Sequence, residues 1–367
     1  MFLRHSSLST VARTAPFRPA CRFEVAAFQP RASGPNAPSA GTPAQHPHWQ
    51  ALARVDAARH HFGLPVAAAP VRARHAIPLP LNMRRMEAAE GGDPIAARKN
   101  KAAMARYKPL YRSLPQVPTL QAFGTHVAQA CSQLDYRDPA APPVVLIGDQ
   151  HGATATVAAV GIAAQSMRNH GMRGTMLVEF SMEQRSLLRD LENIGRPLLA
   201  AFGGYRPGLV DALAQRVLPM ARERCLARGA QFSERELATG SKEWATQTLA
   251  MMQARDAGFA IVPIDIDNRQ PGARRESHMR RQLARYRHQP LIVMTGGLHT
   301  NALLPALPHG NWTAITYGEQ AAESGVLEMV RRSWHQGVLA RDPRYHLMVL
   351  SHEAAHADPF DQRLAHA

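Results

Sequence analysis

Four short apolar runs in the second half of the chain each end on a polar residue that can bind a metal ion or move a proton. The runs cover residues 144–147, 175–178, 259–264 and 291–294. Continuous apolar runs separated by helical segments are typical of buried parallel strands, because helices cover both faces of such a sheet. The pattern therefore predicts a three-layer α/β/α fold with a mainly parallel central sheet.

Helical spacing of apolar residues fills the intervals between these strands. We expect helices over residues 119–134, 154–168, 183–193 and 275–287, and a long helical insert over 209–257 that is broken around Gly229 and Gly240. Two weaker strand candidates lie at 312–317 and 345–350. This alternation of strands and helices supports the three-layer arrangement.

The polar residues at the strand ends define a candidate site. They are Gly148, Asp149 and His151 after the first run, Glu179 after the second, Asp265 after the third, and Gly296, Gly297 and His299 after the fourth. The carboxyl ends of parallel strands meet at one edge of the sheet, where ligands bind, so we expect these residues to converge on one pocket. Glycines just past a strand end let a ligand or cofactor approach the backbone closely.

Four of these residues form a candidate metal site: His151, Glu179, Asp265 and His299. A histidine presents either a neutral nitrogen to a metal or a base near physiological pH. The chain has 18 His, and each one taken alone is more often a hydrogen-bonded structural residue. Two at matching strand ends, beside two carboxylates, favour a divalent metal such as Zn, Mn or Fe over Mg or Ca.

The first third of the chain differs in composition from the rest. Residues 1–48 are rich in Ser, Thr, Pro, Ala and Arg and predict a disordered basic leader. Residues 49–110 predict accessory helices, residues 111–350 the α/β domain, and residues 351–367 a polar tail. The leader suits an organelle transit peptide or a bacterial effector, and the Ala, Arg and Pro usage favours the effector. The predicted location is the bacterial cytoplasm or a host cell, with a host protein as partner if the chain is an effector.

The net charge of +15 is concentrated in this first third, since residues 1–110 contain 16 Lys and Arg against 5 Asp and Glu. The basic segment lacks interleaved aromatic residues and nucleic-acid motifs, so a nucleic-acid partner is not expected. The 3 Cys are far apart, which argues against a disulfide framework or a cysteine zinc site. No apolar stretch is long enough to predict a transmembrane segment.

The ordered motifs of the second half resemble a known family. They are Gly148-Asp149-Gln150-His151, a strand ending at Glu179, Arg275-Glu276-Ser277-His278-Met279, and Gly296-Gly297-Leu298-His299. Over about residues 140–305 this order resembles the ChaN-like, erythromycin-esterase-like and TIKI/TraB-like superfamily of α/β proteins. Asp149 stands where members usually carry Glu, which shortens the reach of that carboxylate by one methylene.

The resemblance implies a shared pocket in which His151, Glu179 and His299 bind a metal or activate water. The family contains esterases, metal-dependent peptidases and haem-binding proteins. We therefore expect a hydrolase of ester or peptide bonds, acting on a small molecule or peptide, in which Arg275 or a glycine N–H stabilises the oxyanion. The alternative is a non-catalytic protein that holds haem or another ligand in the same pocket.

A separate motif, His352-Glu353-Ala354-Ala355-His356, has the H-E-x-x-H pattern of zinc peptidases, with Glu353 as the general base. It provides a second alternative function. Pro359 would end the helix within a turn, and few residues follow that could provide a third ligand. We therefore assign the motif to the polar tail.

Overall fold

The computed structural model describes residues 105–150, 152–226, 232–266, 270–307, 310–339 and 342–361, apart from the side chain of Glu183. The predicted leader, residues 49–104 of the accessory segment, and His151 and Gly229 lie outside the described residues. In the described part of the chain, no helix combines the length and the apolar character needed to cross a membrane.

Strands and helices alternate along the described residues. The strands are β1 (Gln116–Val117), β2 (Val144–Asp149), β3 (Gly174–Ser181), β4 (Phe259–Asp265), β5 (Leu291–Gly296), β6 (Trp312–Glu319) and β7 (Tyr345–Leu350). The helices are α1 (Lys108–Ser113), α2 (Leu120–Ser132), α3 (Ala155–Asn169), α4 (Arg185–Ala201), α5 (Leu209–Leu226), α6 (Glu234–Asp256), α7 (Gly272–Tyr286), α8 (Gly297–Leu303), α9 (Glu323–His335) and α10 (His352–His356).

The strands form one seven-stranded sheet in the order β1-β7-β6-β2-β5-β3-β4, and every neighbouring pair is parallel. This confirms the predicted three-layer α/β/α fold. β2 lies at the centre, where Val144 pairs with Leu291 of β5 and with Trp312 of β6. Because all the strands run the same way, their carboxyl ends meet at one edge of the sheet.

Alternate side chains of each strand enter two hydrophobic cores, one on each face of the sheet. Val145 and Ile147 of β2 pack in the core built with α2 to α6, and Val144 and Leu146 pack in the core built with α7 to α9. All four residues are fully buried. Burial on both faces explains why the strands are apolar at every position rather than at every second one.

The helical insert differs from its prediction at Gly240, which lies inside α6 rather than at a break. α6 begins at a capping box, in which Ser233 accepts a hydrogen bond from the Glu236 N–H and the Glu236 carboxylate accepts one from the Ser233 N–H. A glycine inside a helix costs about 1 kcal/mol relative to alanine, which a capped and buried helix tolerates.

The segment predicted as a polar tail contains an ordered helix, α10, that packs against α2 and α3. Ala354 and Ala355 of this helix are buried. The Ser351 hydroxyl caps the helix by accepting a hydrogen bond from the Ala354 N–H at 3.0 Å. The sequence prediction missed this packing because two small apolar residues between histidines give too little hydrophobic pattern to indicate a buried face.

Gly148 has a packing role at the end of β2. A Cβ atom at this position would lie 1.9 Å from Thr300 Oγ1 and 3.0 Å from Thr316 Oγ1. The glycine therefore lets α8, which carries Thr300, lie directly against the central strand.

We expect Gly148→Ala to destabilise the protein by about 1–3 kcal/mol, because the added methyl group overpacks a buried contact. Gly325→Ala is the matched control, since a Cβ there meets no atom within 4 Å. The stability of both variants is measured from the urea concentration at the midpoint of unfolding. Equal midpoints for Gly148→Ala and the wild type would contradict the packing role.

Candidate functional site

Arg275 of α7 lies between two buried carboxylates at neighbouring strand ends. Its Nη2 donates to Glu179 Oε1 of β3 at 2.6 Å and to Asp265 Oδ2 of β4 at 2.5 Å. Its Nε donates to both Asp265 oxygens, at 3.0 and 3.2 Å. The exposed fractions of the three side chains are 12% for Arg275, 6% for Glu179 and 4% for Asp265. One guanidinium therefore compensates two carboxylates away from solvent.

The charge of Arg275 is fixed by this environment. Burial alone would lower the pKa of Arg275, but the hydrogen bond with Asp265 and the negative charges of Glu179 and Asp265 raise it above its ordinary value. Arg275 is therefore a permanent cation at this edge of the sheet. Its positive charge compensates the buried side chains of Glu179 and Asp265.

The His299 ring of α8 lies between two carboxylates, those of Glu276 and Glu179. Its Nδ1 is 3.1 Å from Glu276 Oε1, and its Nε2 is 3.6 Å from Glu179 Oε1. Glu276 also accepts a hydrogen bond from Arg332 Nη1 at 2.9 Å. The ring thus has one nitrogen anchored by Glu276 while the other faces Glu179, which is the arrangement that orients a histidine for proton transfer.

Glu276 remains a carboxylate over a wide pH range. Burial by itself would raise the pKa of Glu276, but hydrogen bonds and charges from His299 and Arg332 outweigh it and lower the pKa below its usual value. The stable negative charge favours a proton on the His299 nitrogen that faces it.

The backbone at the end of β5 also holds Glu179. The Gly296 N–H donates to Glu179 Oε2 at 2.5 Å. At the next residue, a Cβ on Gly297 would lie 2.8 Å from Met329 Sδ, so the glycine lets α8 start close to α9. Both glycines therefore position Glu179 and His299, and their predicted role in cofactor binding is not tested by these contacts.

Asp149, at the end of β2, lies across a small cavity from Glu179. The cavity measures about 10 Å³, which is room for about one water molecule, and Thr295 and Gln247 also line it. The buried Thr295 hydroxyl makes no hydrogen bond to another described residue. Asp149 Oδ2 accepts a hydrogen bond from Thr156, whose hydroxyl is 2.6 Å from that of Tyr317.

The fold therefore brings most of the predicted site residues together. Glu179, Asp265, Arg275 and His299 form one contact network, and Asp149 shares a cavity with Glu179. His151 lies outside the described residues, so its predicted role remains a prediction. Glu179 and Asp265 are arranged as partners of an arginine, and this geometry does not fit them as joint ligands of one metal ion, because the guanidinium occupies the space between them.

A second group of potential ligands lies at the same edge, at the end of β6. His352 Nδ1 is 2.7 Å from Glu319 Oε1, and His356 Nε2 is 3.1 Å from Glu319 Oε2. One nitrogen or oxygen from each residue lies within 4.8 Å of the others, so this Glu/His/His group can hold a metal ion. Sequence reasoning sought a third ligand after the H-E-x-x-H motif, whereas Glu319 precedes the motif by a whole strand and helix.

Two carboxylates of these networks were missed by sequence reasoning. Glu319 ends a buried strand as Asp265 does, so applying the same rule to the end of β6 would have identified it. Glu276 is adjacent to Arg275 in the motif but gives no separate signal. Its contact with His299 arises because α7 and α8 pack together on one face of the sheet.

We expect Arg275→Leu to lower the free energy of unfolding at pH 7 by about 3–5 kcal/mol, because it leaves Glu179 and Asp265 buried without a cation. Arg274→Leu is the control, because that exposed side chain bonds only Gln270 among the described residues. Chemical denaturation at pH 7 tests this prediction, and an equal loss of stability in both variants would refute it.

Glu276→Gln tests the lowered pKa of Glu276. A depressed native pKa contributes stability that is complete above the unfolded value, about 4.3, and is lost as the pH falls through the native value. The variant should therefore be less stable than the wild type at pH 7, and the difference should close below pH ~4. Glu323→Gln, which breaks a half-exposed pair with Lys108, should change little. A stability difference between the wild type and Glu276→Gln that stays the same at every pH would contradict the lowered pKa of Glu276.

Comparison with known proteins assigns no family to the chain. No family model matches it, and no curated protein matches it significantly. A solved structure titled "The structure of the type III effector HopBA1" is 15% identical, covers 56% of this chain and 85% of its own, and gives a TM-score of 0.28. A likeness at that TM-score carries no argument about the fold or the activity of this chain.

Proposed function

We propose that the protein is a hydrolase of ester or amide bonds, with His299 as the general base. The observation that carries this proposal is the position of the His299 ring between Glu276 at Nδ1 and Glu179 at Nε2. A histidine held by a carboxylate on one nitrogen, with a second carboxylate facing its other nitrogen, is equipped to accept and return a proton.

The proton transfers follow from this geometry. With its proton on Nδ1 directed to Glu276, His299 has a lone pair on Nε2. A water molecule hydrogen-bonded to Nε2 and Glu179 Oε1 attacks the substrate carbonyl carbon and passes its proton to Nε2. The resulting imidazolium lies between two carboxylates, which stabilise its charge. It then gives the proton to the departing alkoxide or amine as the bond breaks.

Arg275 and Gly296 act in this scheme as positioning residues. Both donate to Glu179, so they fix the orientation of the carboxylate that holds the water. The predicted role of Arg275 in stabilising an oxyanion would fall to Nη1, the guanidinium nitrogen that Glu179 and Asp265 do not engage.

The family resemblance supports the same region of the chain. Its motifs include Arg275, Glu179 and His299, which belong to one contact network. They also include His151, which lies two residues after the end of β2 in the sequence.

The cavity beside Asp149 admits about one water, whereas sites for drug-sized ligands measure about 300–1,000 Å³. The cavity therefore has room for a water molecule next to Glu179, and either a haem or a substrate would require the surrounding residues to move.

Hydrolysis of p-nitrophenyl esters and of a fluorogenic peptide library tests the proposal on the full chain. His299→Gln should lower kcat/KM by about 10²–10⁴-fold, the usual contribution of a general base. Glu276→Gln should lower kcat with little change in KM, because the His299 ring loses the carboxylate that orients it and stabilises its positive charge. His288→Ala, which changes an exposed histidine in the turn after α7, is the control. Wild-type hydrolysis no faster than the blank, or full activity in His299→Gln, would overturn the proposal.

A further inference from the structure

Glu319, His352 and His356 bring one carboxylate and two imidazoles to a single point at the ends of β6 and β7. Each imidazole meets a different oxygen of Glu319, and the two ring centroids are 4.8 Å apart. Glutamate and histidine are among the ligands that zinc uses in proteins, and three of them with water in a fourth position is a recurrent coordination sphere.

The two histidines are held on a fixed support. Their spacing of four residues places both on one face of α10. The helix is anchored at its start by the Ser351 hydroxyl, which donates to Pro118 O at 2.7 Å. It is anchored at its end by the Thr154 hydroxyl, which lies 3.0 Å from Ala355 O and 2.6 Å from Ala357 O. The ligand geometry therefore depends on the folded core rather than on a mobile end.

Glu319 is held by an outer contact of the kind that surrounds metal ligands. Gln150 Nε2 donates to Glu319 Oε2 at 3.4 Å, and Gln150 Oε1 accepts a hydrogen bond from the Glu319 N–H. The Glu319 side chain is only 9% exposed. Hydrogen bonds from outside the ligand set fix the orientation of a metal-binding carboxylate and raise affinity.

Ion pairing alone explains the grouping of Glu319, His352 and His356 less well than metal binding does. Two positively charged imidazoles at this separation would repel each other across one carboxylate. Two neutral imidazoles and one carboxylate form the donor set of a divalent transition metal. A tetrahedral zinc ion with bonds of 2.0–2.1 Å separates its ligand atoms by about 3.3 Å, and the three atoms here already lie within 4.8 Å of one another.

We propose that Glu319, His352 and His356 bind a divalent metal ion of the zinc class, with water in the remaining coordination position. The ion fastens α10 to the end of β6. None of the three ligands belongs to the His299 network, so this proposal does not rest on the hydrolase assignment.

Zinc binding to the full chain tests the proposal. Protein stripped with a chelator is titrated with Zn²⁺ by calorimetry, and with Co²⁺ to read tetrahedral coordination from visible absorption. The wild type should bind one equivalent more than His352→Ala/His356→Ala, and Glu319→Gln should weaken binding at this site at least 10-fold. In chelator the single variant His352→Ala should unfold at the wild-type temperature, because that side chain is 81% exposed. Added Zn²⁺ should raise the unfolding temperature of the wild type and leave that of His352→Ala/His356→Ala unchanged.

Two control variants distinguish zinc bound by Glu319, His352 and His356 from zinc bound elsewhere on the protein. Glu353→Gln changes a neighbouring exposed carboxylate on the same helix and should keep the full stoichiometry. His299→Ala should also keep it. Equal zinc uptake by the wild type and His352→Ala/His356→Ala would overturn the proposal, and so would a loss of the ion in His299→Ala with retention in His352→Ala/His356→Ala. Either result leaves the hydrolase proposal to be judged by its own kinetic test.

Discussion

Two carboxylates, Glu179 and Asp265, are buried at neighbouring strand ends and share the guanidinium of Arg275. Burying either carboxylate without a cation would cost several kcal/mol, so this shared cation allows polar chemistry inside a tightly packed edge of the sheet. The other polar contacts extend from it. Glu179 receives the Gly296 N–H and faces His299, and His299 is in turn held by Glu276.

The same edge carries two separate sets of chemical groups because the strands are parallel. The arginine network occupies the ends of β3, β4 and β5, and the Glu319 group occupies the ends of β6 and β7. β2 lies between the two sets, with Asp149 beside the first and Gln150 in contact with the second. The end of the central strand is therefore in contact with both sets.

Much of the fold follows from local sequence because four of the strands contain continuous apolar runs, and helical spacing separates the runs. The strand ends Glu179 and Asp265 could be predicted for the same reason. Which groups touch could not be predicted, since it depends on strand order and helix packing. Glu319 meets His352 only because β6 and β7 are neighbours, and Glu276 meets His299 only because α7 packs on α8. Such contacts are set by tertiary structure and leave no periodic signal in the chain.

The position of β1 has a consequence for how the domain forms. Its residues Gln116 and Val117 pair with Val349 and Leu350 of β7, which is the last strand along the chain. During synthesis, β1 has no partner until more than two hundred further residues have left the ribosome. Closure of this edge is therefore a late, non-local event, of the kind that slows folding. The short length of β1 limits how much unpaired edge the nascent chain exposes to other molecules in that interval.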